Sequence, residues 1–277
     1  MTGDRPAVRH ITISGDLGSG KSSAAQALAE RLGFETLSTG ALQRRMAASH
    51  GLSTLDVNHL AEKDLSIDDK IDGTTVRVAR EATAPIVFDS RMAWHFVPGA
   101  LKVRLVVDPF QAAQRVYGRE GQAAESYASL TESLHGIVER ARSESRRFLG
   151  RYGVDVAALH NFDLVVDTSA LPVEGVVDRV ARTYERLVGP EWSSSAADAG
   201  PCPELWLSPS SVVPLFAAAD AGGAPSGEAS DAGPVVVVYD RPFFFGIGGR
   251  AALCAALASG EPVVRARLAA ETEATSA

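Results

Sequence analysis

Gly15-Asp16-Leu17-Gly18-Ser19-Gly20-Lys21-Ser22 satisfies the spacing G-x-x-x-x-G-K-[ST] without a mismatch. Its glycines let the backbone wrap closely round an anion, and the exposed N–H groups supply positive potential to it. A helix starting at Lys21 adds the favourable end of its dipole. Lys21 is then suited to hold the β- and γ-phosphates of a nucleotide, and the Ser22 hydroxyl to ligate Mg²⁺. Gly15, Asp16, Gly18, Ser19, Gly20, Lys21, Ser22 and Ser23 are accordingly the expected contacts for ATP. A second charged set is Asp89-Ser90-Arg91, a carboxylate suited to Mg²⁺ or its water shell beside a guanidinium suited to a phosphate. Further on, Arg115, Arg119, Arg140, Arg142, Arg146, Arg147 and Arg151 fall within and around long helical segments. Two readings of that stretch stand open: a lid whose arginines close over phosphates, or an exposed helix laced with ion pairs to Glu139 and Glu144.

The elements that must position these groups read as alternating strands and helices. His10 to Ser14 is a short β-branched run, and Lys21 to Leu32 carries apolar residues at helical spacing, so the glycine loop sits between strand and helix. Glu35 to Ser38 reads as a second strand, Pro85 to Asp89 as a buried central one, Ala100 to Val107 as the next and Phe162 to Asp167 as a fifth. Helices are expected over 53–63, 67–82, 110–120 and 172–187, the first opened by a capping pattern at Ser53-Thr54-Leu55-Asp56. Asp68, Asp69 and Asp72 share the second of these, and a solvated acidic face is their expected role. Trp94-His95-Phe96 suits either a base-stacking site or the core.

In this frame the sequence resembles the nucleoside monophosphate kinases, and within them the archaeal-type cytidylate kinases, over residues 8–188. The marks are the glycine loop, Ser38-Thr39-Gly40 with Arg44 after it, Asp89-Ser90-Arg91, the run RARSESRRFLGRYGVD and Asp167-Thr168-Ser169, in that order. The resemblance implies an α/β kinase with a five-stranded parallel sheet and a helical lid, using ATP and Mg²⁺ to phosphorylate a nucleoside monophosphate, with CMP or dCMP as first guess. It implies that Lys21, Arg91, Arg142 and Arg147 are catalytic, that Ser38, Thr39, Gly40, Arg44 and Arg91 meet the acceptor, and that Ser22 and Asp89 hold the metal. The loop from Thr168 to Pro172 is where such kinases hold adenine.

Beyond residue 189 the composition changes. Residues 190–203 and 217–234 are rich in Ser, Ala, Gly and Pro and read as a linker and a low-complexity insert. Residues 204–270 spell a small α+β module, and 271–277 a disordered tail. The run PVVVVYDRPFFFGIGGRAALCAALASGEPVVRARL resembles the ParB/sulfiredoxin-like fold, with Gly248-Gly249-Arg250 in place of that fold's glycine-basic motif. The acidic balance of this module and the net charge of −7 over 277 residues disfavour a nucleic-acid partner. A homodimer interface is one role left open for it. No apolar run approaches a membrane span and no secretory leader is apparent, so a cytoplasmic protein is expected. Two other functions stay open: a nucleotide-responsive switch acting through the C-terminal module, and a kinase of another phosphorylated or phosphonate metabolite.

Overall fold

Ile11–Gly15 (β1) is buried along its whole length, as a strand covered on both faces must be. The chain then runs through α1 (Lys21–Leu32), β2 (Glu35–Ser38), α2 (Leu65–Glu81), β3 (Ile86–Asp89), α3 (Ala93–Phe96), β4 (Leu101–Val106), α4 (Pro109–Tyr117), α5 (Leu130–Tyr152), β5 (Leu164–Asp167) and α6 (Val173–Val188). The computed structural model describes residues 10–42, 65–118, 127–188, 203–215 and 233–270. The helix expected over 53–63 and the acceptor candidate Arg44 lie outside the described residues.

β1 to β5 form a parallel block in the order β2-β3-β1-β4-β5. That is the expected α/β kinase sheet. Parallel pairing puts the carboxyl ends of these strands on one edge, where ligands of open α/β sheets are bound. Alanines and leucines of α1 (Ala24, Ala25, Leu28, Ala29) and the apolar stripe of α6 (Val176, Val177, Val180, Ala181, Tyr184) cover one face. The helix carrying the arginines, α5, starts where the Ser129 hydroxyl accepts from the Glu132 N–H at 3.1 Å. It ends at Gly153, whose φ of 68° only glycine adopts without strain.

The sheet does not stop at β5. Strands β6 (Glu204–Leu207), β7 (Val212–Pro214), β8 (Val235–Asp240), β9 (Phe243–Gly248) and β10 (Val264–Leu268), with helix α7 (Arg250–Ser259), continue it as β5-β6-β10-β8-β9-β7. β6 adds parallel to β5, with Val165 opposite Leu205, and β10 then pairs antiparallel to β6. Among the described residues this C-terminal segment thus combines five strands with one α-helix. They share a hydrophobic core with the first block: Met92, Trp94, Phe162 and Val165 pack in one cluster with Leu205, Leu207, Val237, Phe244 and Leu253. Trp94 therefore belongs to the core. Among the described residues no helix is long and apolar enough to cross a membrane.

Candidate functional site

The loop between β1 and α1 has the shape that its glycines permit. Gly18 has φ 84°, and a Cβ there would lie 2.8 Å from the Ala112 backbone. Gly20, the N-cap of α1, has φ 78° and no side-chain cap among the described residues, so the first N–H groups of α1 remain available to an anion. Arg115 braces the loop from outside, donating to Gly18 O at 3.3 Å and to Thr168 O at 2.6 Å. The Thr168 hydroxyl donates in turn to Ser19 O at 3.1 Å.

At the edge of the sheet Asp89 gathers the other loop groups. Lys21 Nζ is 2.7 Å from its Oδ1, while the hydroxyls of Ser22 and Ser38 donate to Oδ2 at 2.8 and 2.9 Å. The Thr39 hydroxyl approaches Asp89 O at 3.4 Å. Burial works to raise the Asp89 pKa, but the Lys21 ammonium and the bonds from Lys21, Ser22 and Ser38 outweigh it and hold the carboxyl below its usual value. An ionised carboxylate beside a hydroxyl is a hard-oxygen pair, and it fits Mg²⁺ bound mainly through substrate phosphates and water. Among the described residues no cluster of three His, Cys, Asp or Glu forms a protein-only metal cage.

Asp89, Lys21 and Ser22 line a cavity of about 220 Å³, together with Thr39, Gly40, Arg91, Arg140 and Arg147. Arg91 and Arg140 each place Nε on Glu144, at 2.8 and 2.9 Å, so one carboxylate on α5 fixes two guanidiniums at the cavity wall. Arg147 stacks over Phe148 at 4.7 Å, and its Nε stands 4.0 Å from Asp68 Oδ2. Neither of those two buried atoms has a hydrogen-bond partner among the described residues. That gap suits a ligand oxygen or a bridging water.

The acidic residues of α2 are not the solvated face that the sequence suggests. Asp68 and Asp72 line the cavity, Tyr152 donates to Asp72, and only Asp69, 72% exposed and paired with Arg151 at 2.6 Å, faces solvent. The reason is α5, whose C-terminal turn brings Arg147, Arg151 and Tyr152 against this helix. Burial raises Asp68, and it raises Asp72 to about 6.

The arrangement thus brings Lys21, Ser22, Thr39, Gly40, Asp89, Arg91 and Arg147 together, with Ser38 bonded to Asp89. Arg142 is elsewhere. It is 69% exposed, pairs with Glu139 at 3.0 Å and borders a second hollow of about 440 Å³ beside Asp16 and Arg241. Ser23 is exposed on α1. Within the arginine stretch Arg140 and Arg147 turn inward to the cavity, while Arg142 sits in a solvated ion pair. Arg104 and Arg241 are the groups that the sequence does not single out, and Arg140 stands in it only as one of the seven arginines of the stretch. Arg104 had a visible signal, because a guanidinium inside the apolar run of β4 requires a buried partner; it is 2% exposed and 3.2 Å from Asp16.

The profile of the cytidylate kinase-like family matches residues 10–170, which include the glycine loop, Asp89-Ser90-Arg91 and α5. The chain belongs to that family. The cytidylate kinase of Ignicoccus hospitalis is 36% identical over 174 residues, covering 62% of this chain and 96% of that protein. The cytidylate kinase of Methanosarcina mazei is 34% identical over 184 residues, covering 65% and 99%. Among solved structures, a gluconokinase from Sinorhizobium meliloti superposes at a TM-score of 0.41 and 21% identity, covering 67% of this chain and 95% of that one. This family member is a phosphotransferase, nucleoside monophosphate kinase-like in type. Those two archaeal relatives are matched almost end to end, so the remainder of the chain has no counterpart in them.

Proposed function

We propose that this kinase transfers the γ-phosphoryl group of ATP to the phosphate of a nucleoside monophosphate, with CMP or dCMP the first acceptor to try. The observation that carries the reading is the convergence of Lys21, Ser22, Asp89, Arg91, Arg140 and Arg147 on one cavity. A donor site alone needs the loop; a second set of guanidiniums is what a phosphate-bearing acceptor needs.

In this reading the loop amides from Gly15 to Ser23 and the Lys21 ammonium hold the donor phosphates, while Ser22 and Asp89 hold Mg²⁺. The metal, when bound, neutralises charge on the donor phosphates. Arg91, with Ser38, Thr39, Gly40 and Arg44, holds the acceptor phosphate. Arg140 and Arg147 face the charge that spreads over the transferring group, whereas Arg142, exposed and paired with Glu139, stands away from that cavity. The acceptor phosphate is already ionised near neutral pH, so in-line transfer needs no general base. For residues 204–270, the hairpin, helix and strand in sequence support the ParB/sulfiredoxin-like reading of that segment.

The test is ADP release from Mg·ATP against CMP, dCMP, UMP, AMP and GMP, with phosphosugars and alkyl phosphonates as outside controls. Turnover with one monophosphate, falling about a thousandfold in Lys21→Ala without loss of the folded state, is expected, since removing one preorganised charge costs about that much. Turnover only with the outside controls would move the acceptor to another metabolite. Tight ATP binding with no turnover at all would favour a nucleotide switch.

A further inference from the structure

The turn between β8 and β9 carries Arg241, which lies beyond the span matched by the family profile. Its guanidinium reaches two elements of the site at once. Nη2 is 2.9 Å from Asp16 Oδ1, in the second position of the glycine loop, and Nη1 donates to the Ser145 hydroxyl on α5 at 2.5 Å. Asp16 also accepts from Arg104, which is anchored from the sheet interior by its bond to Val156 O at 3.0 Å. Burial of Asp16 works to raise its pKa, but Arg104, Arg241 and Arg91 outweigh it and keep the carboxyl ionised below its usual range.

The other end of the bridge matters as much. Ser145 follows Glu144, the residue that fixes Arg91 at the cavity wall. α5 is thus gripped at successive residues, by Arg91 from the end of β3 and by Arg241 from the C-terminal hairpin. Any sliding of α5 relative to the loop breaks both grips. The hairpin is itself held, since Val237 and Phe244 pack in the core shared with Val165 and Phe162.

We propose that Arg241 is a positioning residue of the donor site: by tying the glycine loop to α5 it sets the distance between the groups that hold ATP and the arginines that face its γ-phosphate. The C-terminal segment is then part of the nucleotide site rather than an appendage to it. This rests on the reading of the loop as the ATP site.

The test is equilibrium binding of ATP and of a fluorescent ATP analogue to the full chain, with thermal melting and steady-state kinetics on the same preparations. Arg241→Ala is expected to weaken ATP about tenfold, equivalent to about 1.4 kcal/mol, while it stays folded. Arg241→Lys recovers part of that loss, because an ammonium can pair with Asp16 but cannot fork to Ser145 as well. Ser145→Ala, which removes only the helix end of the bridge, is expected to weaken ATP about threefold, since one hydrogen bond is lost while the Arg241–Asp16 pair stays. It carries the test if Arg241→Ala does not fold. Wild-type affinity in Arg241→Ala, or in Ser145→Ala where only that variant folds, overturns the proposal and leaves the kinase reading standing. Equal losses in Arg241→Ala and Arg241→Lys overturn it too. A wild-type chain that binds no ATP would overturn the donor-site reading and this proposal with it.

Discussion

Between Ile11 and Asp167 the five strands all point one way, and Gly15, Ser38, Asp89 and Thr168 stand at or just beyond their carboxyl ends. From Glu204 onward the directions are mixed, and the described residue that reaches the glycine loop is Arg241. The first region concentrates charge at one edge because parallel pairing brings strand ends together. The second covers the exposed edge of β5 and supplies half of a core cluster. Chemistry and support are thus divided along one sheet, and the division is not a boundary between independently packed units.

The sharpest way to break this comparison is to end the chain at residue 188. That exposes the β5 edge and the apolar side of Trp94, Phe162 and Val165, so the shortened chain is expected to lose its soluble, cooperatively melting state. Soluble yield and far-UV circular dichroism read this out, and a stable truncation with full turnover would make the two regions separable. A smaller perturbation of the same seam is Leu207→Ala. Leu207 is fully buried, and truncating it should cost about 2–5 kcal/mol of stability. Denaturant titration measures that loss, with kcat at low temperature expected to stay near wild type because Leu207 does not line the 220 Å³ cavity.

The smallest expected effect concerns Asp72, where α2 meets α5. Its pKa is raised from 3.8 to about 6. Between those values the folded protein holds a proton that the unfolded chain has released, so this contribution to stability is present below about 4 and is lost as pH rises through about 6. Asp16 and Asp89 have lowered values, so their contributions are lost only as pH falls below about 4. Asp72→Asn should therefore flatten the slope of melting temperature against pH between about 4 and 6 and leave the acid limb in place. An unchanged slope would mean that Asp72 does not titrate there.

Features whose causes are local were legible in the sequence. The glycine loop, its flanking strand and helix, and Asp89 at a strand end all follow from runs of a few residues. Ser129 and Glu132 with Gly153 also mark the limits of α5 locally. What could not be read depends on distant partners. Asp68 and Asp72 face inward because α5 lies across α2, and nothing within α2 announces that. Arg104 was visible as a charge in an apolar strand, but its partner Asp16 is 88 positions away. Arg241 is 225 positions from the same carboxylate. The low-complexity composition of residues 190–203 suggested a boundary, whereas the pairing of β6 on β5 is a matter of register that composition does not encode.

Which guanidiniums of α5 face the cavity beside Asp89 is tested most directly by comparing Arg147→Met with Arg142→Met in ADP release from Mg·ATP with CMP, or with whichever monophosphate the panel identifies. Arg147→Met should lower kcat/KM about a hundredfold, as expected for a preorganised charge at the site. Arg142→Met should stay within about twofold, since an exposed ion pair contributes little. Equal losses in the two variants, or a larger loss in Arg142→Met, would contradict the assignment of the site to the cavity beside Asp89.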